Sequence, residues 1–409
     1  MKIETAKLLV VFCSVAVHGP GQTLPIFNTL YIFAGPDGAN PLAAPIGRNG
    51  VLYGTTYEGG ASGFGTVFSL TPPATPGGSL SEQVLYSFTG QSDGGYPTAR
   101  LLISSSGVLF GTSNDNAQSS YDYSTIFALI PPAAAGGAWT HKTVHAIRVG
   151  LLGSNMVEQA GVLYVPCGSG ICSVTPPAAP GGSWALNLIY PYTNTEGDSP
   201  VGLAAGQDGA LYGTMYYRGK DDAGEVFSLT PPASPGNFWI EQVLYTFTAG
   251  SDGAEPSGPP TIGADGVLYG VTVFGGITPS LCYNGCGTVF SLTPPALPGG
   301  SWTEETIYQF TGGTDGGYPS GGVAIGNKGQ LYGTTYGGVG TVWELAPPSN
   351  GGSWTFRILQ AFDGAGDGVS PMGGLWMGEG GVLYGTTFGE QGSITQPPPW
   401  AGTVFSVIP

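Results

Sequence analysis

The sequence predicts an all-β fold: a seven-bladed β-propeller of four-stranded antiparallel blades, closed by an N-terminal strand that completes the last blade. Three observations predict it. A Gly-x-Leu-Tyr-Gly-Thr-Thr segment begins at Gly50 and returns, with variations, at Gly107, Gly161, Gly209, Gly266, Gly329 and Gly381. A second segment, close to Gly-Thr-Val-Phe, follows each copy; it contains Phe68, Phe127, Cys172, Phe227, Phe290, Trp343 and Phe405 in turn. The two ends of the chain are complementary. The seventh copy ends at Pro409 without a fourth strand, and Leu30-Tyr31-Ile32-Phe33 matches the fourth-strand sequences Leu85-Tyr86-Ser87-Phe88 and Leu244-Tyr245-Thr246-Phe247. Repeats of one supersecondary unit stack to bury a common core, and closing the ring removes free sheet edges.

The fifth repeat shows each element in order. Thr261-Ile262-Gly263 reads as a short first strand, and Asp265-Gly266 as a tight turn that needs positive φ. Val267 to Thr272 is the second strand, with Leu and Tyr packing between neighbours and Gly and Thr starting the next turn. A variable loop runs to Cys286. Gly287 to Thr293 alternates apolar and polar side chains with period two and is the third strand. Pro294-Pro295 opens a link that cannot donate to a sheet, and Trp302 to Phe310 is the fourth strand. The recurring Trp139, Trp184, Trp239, Trp302 and Trp354 occupy one structural position and read as packing between blades.

Composition narrows the function. Gly (73) and Pro (35) recur at fixed positions, and 41% hydrophobic residues are enough for a large core, so order is expected. Only 10 of 409 residues are Lys or Arg and the net charge is −16, so there is no basic footprint for nucleic acid or an anionic membrane surface. Leu8 to Val17 is an apolar run after Lys2 and Lys7, too short to span a bilayer. Residues 1–21 therefore read as a signal peptide and 22–409 as a single propeller domain with no membrane insertion, secreted or at the cell surface. Four cysteines fall in two local pairs, Cys167 with Cys172 and Cys282 with Cys286, each expected to link the two arms of a hairpin in an oxidising compartment. Neither pair has a neighbouring His or a second pair to make a zinc site.

At the Gly-x-Leu-Tyr-Gly-Thr-Thr and Gly-Thr-Val-Phe segments the chain resembles the Gloeo/Verruco (GloVer) tandem-repeat family over roughly residues 30–409. The resemblance implies a bacterial secreted or surface protein and implies no established catalytic activity. The third repeat departs most, with Val165-Pro166-Cys167 where the others read Gly-Thr-Thr.

Two residue sets could carry a site. An Asp-Gly-x-x-Pro element precedes five of the blades, with Asp37, Asp93, Asp252, Asp315 and Asp367; Asp198 starts a shortened copy. A ring of carboxylates could attract a structural calcium ion, although Asp in every blade equally suits a turn element that bonds its own backbone. The loops after each Leu-Tyr strand, on the same face, carry Tyr57, Tyr216, Tyr217, Phe274, Tyr336 and Phe388 beside Glu58, Arg218, Lys220, Asp221 and Asp222. Variable loops on a rigid ring suit binding of a glycan or a protein, and no other cofactor is expected. His141 and His145 are expected to be solvated on an outer strand, which leaves no His for a Ser-His-Asp triad. The expectation is a non-catalytic binding or scaffold propeller. The alternatives are a carbohydrate-active lyase or hydrolase using channel-mouth carboxylates, and a self-assembling surface protein.

Overall fold

The computed structural model describes residues 24–73, 80–114, 123–134, 136–148, 155–168, 170–177, 182–192, 200–234, 236–297, 299–349, 351–364, 366–389 and 401–409. The signal-peptide segment and Asp198 lie outside them. The described chain forms seven four-stranded antiparallel sheets. Blades 1 to 6 are built from consecutive strands, starting with Ile46–Arg48, Val51–Thr56, Thr66–Thr71 and Ser81–Ser87 in blade 1. Blade 7 takes Trp376–Met377, Leu383–Thr387 and Thr403–Ile408 from the C-terminus and Ile26–Ile32 from the N-terminus. Ile26 pairs with Ile408 and Ile32 with Thr403, so the ring closes as the sequence predicts.

The sequence pattern predicts that the second-strand glycine starts a turn; it sits inside the strand instead. Gly54 lies opposite Phe68 and Gly270 opposite Phe290, and a Cβ on either glycine would lie 2.5 Å from the partner's ring. The glycine is the space into which the third-strand ring folds. Phe68, Phe127, Phe227, Phe290, Trp343 and Phe405 are accordingly fully buried. Each ring packs with apolar residues of its own blade and with the third and fourth strands of the blade before it, so an apolar core fills the seam between neighbouring blades.

The strand then runs on through Thr-Thr. In five blades the last hydroxyl of the second strand meets the first hydroxyl of the third: Thr56 with Thr66, Ser113 with Thr125, Thr272 with Thr288, Thr335 with Thr341 and Thr387 with Thr403. The third-strand hydroxyl also reaches the carbonyl of the Asp in the incoming loop, as Thr66 does to Asp37 and Thr288 to Asp252. The Thr pair therefore joins two strands to the segment that enters the blade.

The tryptophans pack as expected. Trp139 of blade 2 meets Tyr53 of blade 1 at 6.0 Å, and Trp239 of blade 4 meets Tyr164 of blade 3 at 5.4 Å, both edge-on. His141 corrects its expectation. It stacks on Tyr86 of blade 1 at 4.4 Å, and burial pushes its imidazole down against the opposing charge of Asp93. The outer strand is not solvated there because the preceding blade's outer strand lies against it. Both cysteine pairs are disulfides. Cys167–Cys172 links the end of Val162–Pro166 to Gly170–Thr175 and so joins hairpin arms. Cys282–Cys286 instead staples the loop ahead of Thr288–Thr293, because both residues fall before that strand begins. Among the described residues no helix is long and apolar enough to cross a membrane.

Candidate functional site

The Asp-Gly-x-x-Pro loops and the post-Tyr loops do share one face, and backbone hydrogen bonds join them. Tyr57 N donates to Asn40 O, Tyr336 N to Tyr318 O and Phe388 N to Ser370 O within single blades. Between blades, Tyr96 N donates to Phe64 O, Glu255 N to Ala223 O and Tyr318 N to Cys286 O. Among the described residues these bonds tie the loops of blades 1, 2 and 4 to 7 into a rim.

The aspartates of this rim are turned into their own loops. Asp252 accepts from Thr248 N (2.8 Å), Thr248 Oγ1 (2.6 Å) and the Tyr245 hydroxyl (3.0 Å). Asp315 repeats this with Thr311 and Tyr308, and Asp93 with Thr89 and Tyr86, adding Gln91 N. Burial opposes charge on Asp93, but the Thr89, Tyr86 and Gln91 hydrogen bonds outweigh it and hold the carboxyl below its usual range. Asp367 differs. Its donors are Gln360, Asp363 N and Gly364 N, and burial together with the Asp363 charge pushes it up. The glycine after each Asp has positive φ, and at Gly38 a Cβ would lie 2.5 Å from the Thr56 hydroxyl. These carboxylates spend their lone pairs on loop construction, which is why nearly every blade has one. Among the described residues no three His, Cys, Asp or Glu side chains group to hold a metal ion.

The variable side chains stand one step further along. The residue before the element's proline is Asn40, Tyr96, Glu255, Tyr318 or Ser370, and in all five copies its φ is positive, between 50° and 58°. A non-glycine residue in this region is strained, and a following proline disfavours compact backbone too. Sequence reading passed over this position. Its signal is the pairing of a fixed proline with a freely changing residue ahead of it.

These residues meet the post-Tyr aromatics in two clusters. Tyr96 lies 5.1 Å from Tyr57 and 5.4 Å edge-on from Phe64, between blades 1 and 2. Around blades 4 to 6 the group is larger. Tyr318 stacks on Tyr336 at 5.6 Å and meets Phe274 edge-on at 5.6 Å, while Tyr216 stands perpendicular to Tyr217 at 4.6 Å. Glu255 lies beside the Tyr216 hydroxyl and within electrostatic reach of Tyr336. Burial first, then the hydrogen bond to Glu255 and that group's charge, push the Tyr216 phenol up, so it remains a neutral donor at physiological pH. Tyr217 is 44% exposed, with the rest of the group half-buried. Phe388 has no ring partner among the described residues.

Arg218 belongs to neither cluster. It bridges Glu225 and Glu241, at 3.5 Å to Glu225, and Tyr190 of blade 3 donates to the same Glu241 at 2.6 Å. This network replaces the Thr pair in blade 4, where Met215 lies opposite Glu225.

Comparisons with known proteins agree with this architecture. A streptogramin B lyase superposes with a TM-score of 0.57 at 15% identity, over 94% of this chain and 97% of its own. A candidate 6-phosphogluconolactonase from Bacteroides uniformis gives 0.53 at 14% identity, over 82% and 88%. At such identities the likeness is one of fold. Among curated proteins none matches the chain in sequence. The model of the Gloeobacter/Verrucomicrobia repeat matches residues 20–174 and 236–409, most of the ring: the chain belongs to the Gloeobacter/Verrucomicrobia repeat family.

Proposed function

We propose that this protein is a secreted or cell-surface binding propeller, without catalysis of its own, that holds a glycan on the rim above blades 4 to 6. One observation carries the reading. On the rim these blades gather Tyr216, Tyr217, Glu255, Phe274, Tyr318 and Tyr336, whereas the pre-proline position that holds Glu255 and Tyr318 here is Asn40 in blade 1 and Ser370 in blade 7. Half-buried rings suit the apolar faces of sugars, and the phenol and carboxylate groups beside them suit sugar hydroxyls. The frame below is fixed by the disulfides and hydrogen-bonded loops, so the cluster is held ready, which lowers the ordering cost of binding. Export is supported by the disulfides, which belong to oxidising compartments.

The test is a glycan array read with the purified full chain, beside a product assay on every sugar that binds. Binding without turnover is expected, and it should weaken by about tenfold in Tyr217→Ala and Tyr336→Ala, as for loss of a stacking ring. Turnover would make the protein an enzyme. An array without signal, combined with a concentration-dependent large oligomer on sizing, would favour the scaffold reading.

A further inference from the structure

First strands of the blades line a central channel, and in blade 2 one wall residue departs from its counterparts in blades 1, 5, 6 and 7. The third residue after the element's proline is Ala44 in blade 1, Pro259 in blade 5, Gly322 in blade 6 and Gly374 in blade 7. In blade 2 it is Arg100. Small residues suit a position where neighbouring backbones come close: a Cβ on Gly374 would lie 2.5 Å from the carbonyl oxygen of Gly321. An arginine there is a departure that ring packing does not require.

Arg100 lines a cavity of about 420 Å³ together with Asn155 of blade 3 and the apolar side chains Ile46, Leu102, Val157 and Ile262. No Asp or Glu is among the cavity's lining residues. Protein surrounds Arg100 on nearly all sides, yet it keeps some accessible surface, as a side chain facing an internal channel must. Desolvation alone lowers its pKa, with no charged neighbour contributing. Among the described residues its guanidinium has no hydrogen-bond or ion-pair partner. An arginine side chain stays cationic in such a place. The Arg100 backbone N–H donates to Asn155 Oδ1 at 2.9 Å. That bond engages the carboxamide's acceptor and leaves its NH2 end without a partner among the described residues. The other polar side chain of the wall, Thr261, already donates to Val323 O at 2.6 Å. Two sets of donors therefore face a space walled largely by apolar side chains, with no carboxylate among its lining residues.

We propose that the channel is a second binding site, separate from the rim, for a small organic carboxylate whose charge is held by Arg100 and Asn155 and whose apolar body fills the cavity. The guanidinium fork matches a carboxylate in two parallel hydrogen bonds. One unit of positive charge, with only neutral donors beside it, balances a monoanion; a dianion such as phosphate would leave a charge uncompensated away from water. The hydrocarbon walls favour an aromatic or branched body over a polar one.

The test is calorimetric titration of the full chain with 4-bromobenzoate, set beside 4-bromobenzamide as the neutral isostere and inorganic phosphate as the competing anion. The bromine is then located by its anomalous signal in soaked crystals. The acid should bind more tightly than the amide or phosphate. Its affinity should fall at least about tenfold in Arg100→Gln, as for loss of a charge-assisted pair. Arg100→Lys, which keeps the charge and loses the fork, should fall between the two and covers the case in which the first variant does not fold. A bromine peak beside Arg100 completes the expected result. No binding of the acid, equal affinity in the variants, a bromine site elsewhere or a preference for phosphate would each overturn the assignment. None of these results bears on the rim, whose ligand is read by the array.

Discussion

Blade 5 and blade 3 solve one packing problem in two ways. In blade 5, Gly270 lies opposite Phe290 and the Thr272 and Thr288 hydroxyls meet at 2.8 Å. In blade 3, Val165 lies opposite Cys172, and Cys167, at the position of Thr272, forms a disulfide with Cys172. A valine fills the space that glycine leaves for the ring, and the partner shrinks to match. The disulfide then stands in for both the ring's packing and the hydroxyl pair. A loop this short constrains the unfolded chain by about 2 kcal/mol. The comparison teaches that the repeated glycine is half of a two-residue unit and carries no chemistry of its own.

The largest expected effect comes from forcing blade 5 halfway toward blade 3. Gly270→Val alone drives a branched side chain into the Phe290 ring, already 2.5 Å from the missing Cβ, and should cost about 4 kcal/mol or more. Phe290→Ala alone should cost about 3–5 kcal/mol through the cavity it leaves. The double variant, made with alanine to keep a new thiol away from Cys286, should be more stable than the sum of the two by about 2 kcal/mol. Urea unfolding of the four proteins measures this. Strict additivity would break the claim that the two positions form one unit.

A smaller effect should come from the loop that enters blade 5. Asp252→Asn keeps the shape but cannot accept from both Thr248 N and Thr248 Oγ1 as a carboxylate does. A loss of about 2 kcal/mol is expected, read by the same unfolding assay, with the rim's glycan binding at the Tyr217 side largely kept. A collapse of binding without a loss of stability would instead make the Asp a ligand group.

The blades, their order and their closure were legible because a repeat states its own rules. Any residue that recurs at Phe68, Phe290 and Phe405 is declaring a shared structural duty. The same regularity exposed Trp139 and Trp239 as packing residues. The site was only half legible, for the converse reason. Tyr216, Tyr217, Phe274 and Tyr336 stood out by following the repeated segment, but Glu255 and Tyr318 were hidden inside the Asp element, where attention went to the recurring Asp. Arg100 and Asn155 were hidden further, because nothing in a single sequence says which face of a first strand meets the channel. His141 was misjudged because the partner it stacks on, Tyr86, lies in another blade, and period-two alternation says nothing about inter-blade contacts.

The smallest effect sharpens the comparison at the outer strands. Leu186 in blade 3 lies opposite Val174, and the same position holds Glu304 in blade 5, opposite Leu292, and Glu82 in blade 1, opposite Leu70. Burial first raises both glutamates. For Glu304 the charges of Asp252 and Glu305 add to it against a Thr306 hydrogen bond; for Glu82 the Asp37 charge adds to it, giving about 7. One Glu82 carboxylate oxygen is buried without a hydrogen-bond partner among the described residues. Below the ordinary value of 4.5, folded and unfolded chains both hold this proton and Glu82 makes no pH-dependent contribution. Between 4.5 and about 7 the folded chain keeps a proton that the unfolded chain releases, so stability falls as pH rises; above about 7 both are ionised and the penalty is complete. Glu82→Gln should therefore match wild type at pH 4 and exceed it by about 1–2 kcal/mol at pH 8, after discounting for solvent screening of a half-exposed group. Urea unfolding at both pH values checks it. A gain of equal size at each pH would mean that glutamine packs better there and that the carboxylate's charge is not what sets blade 1 apart from the apolar seam of blade 3.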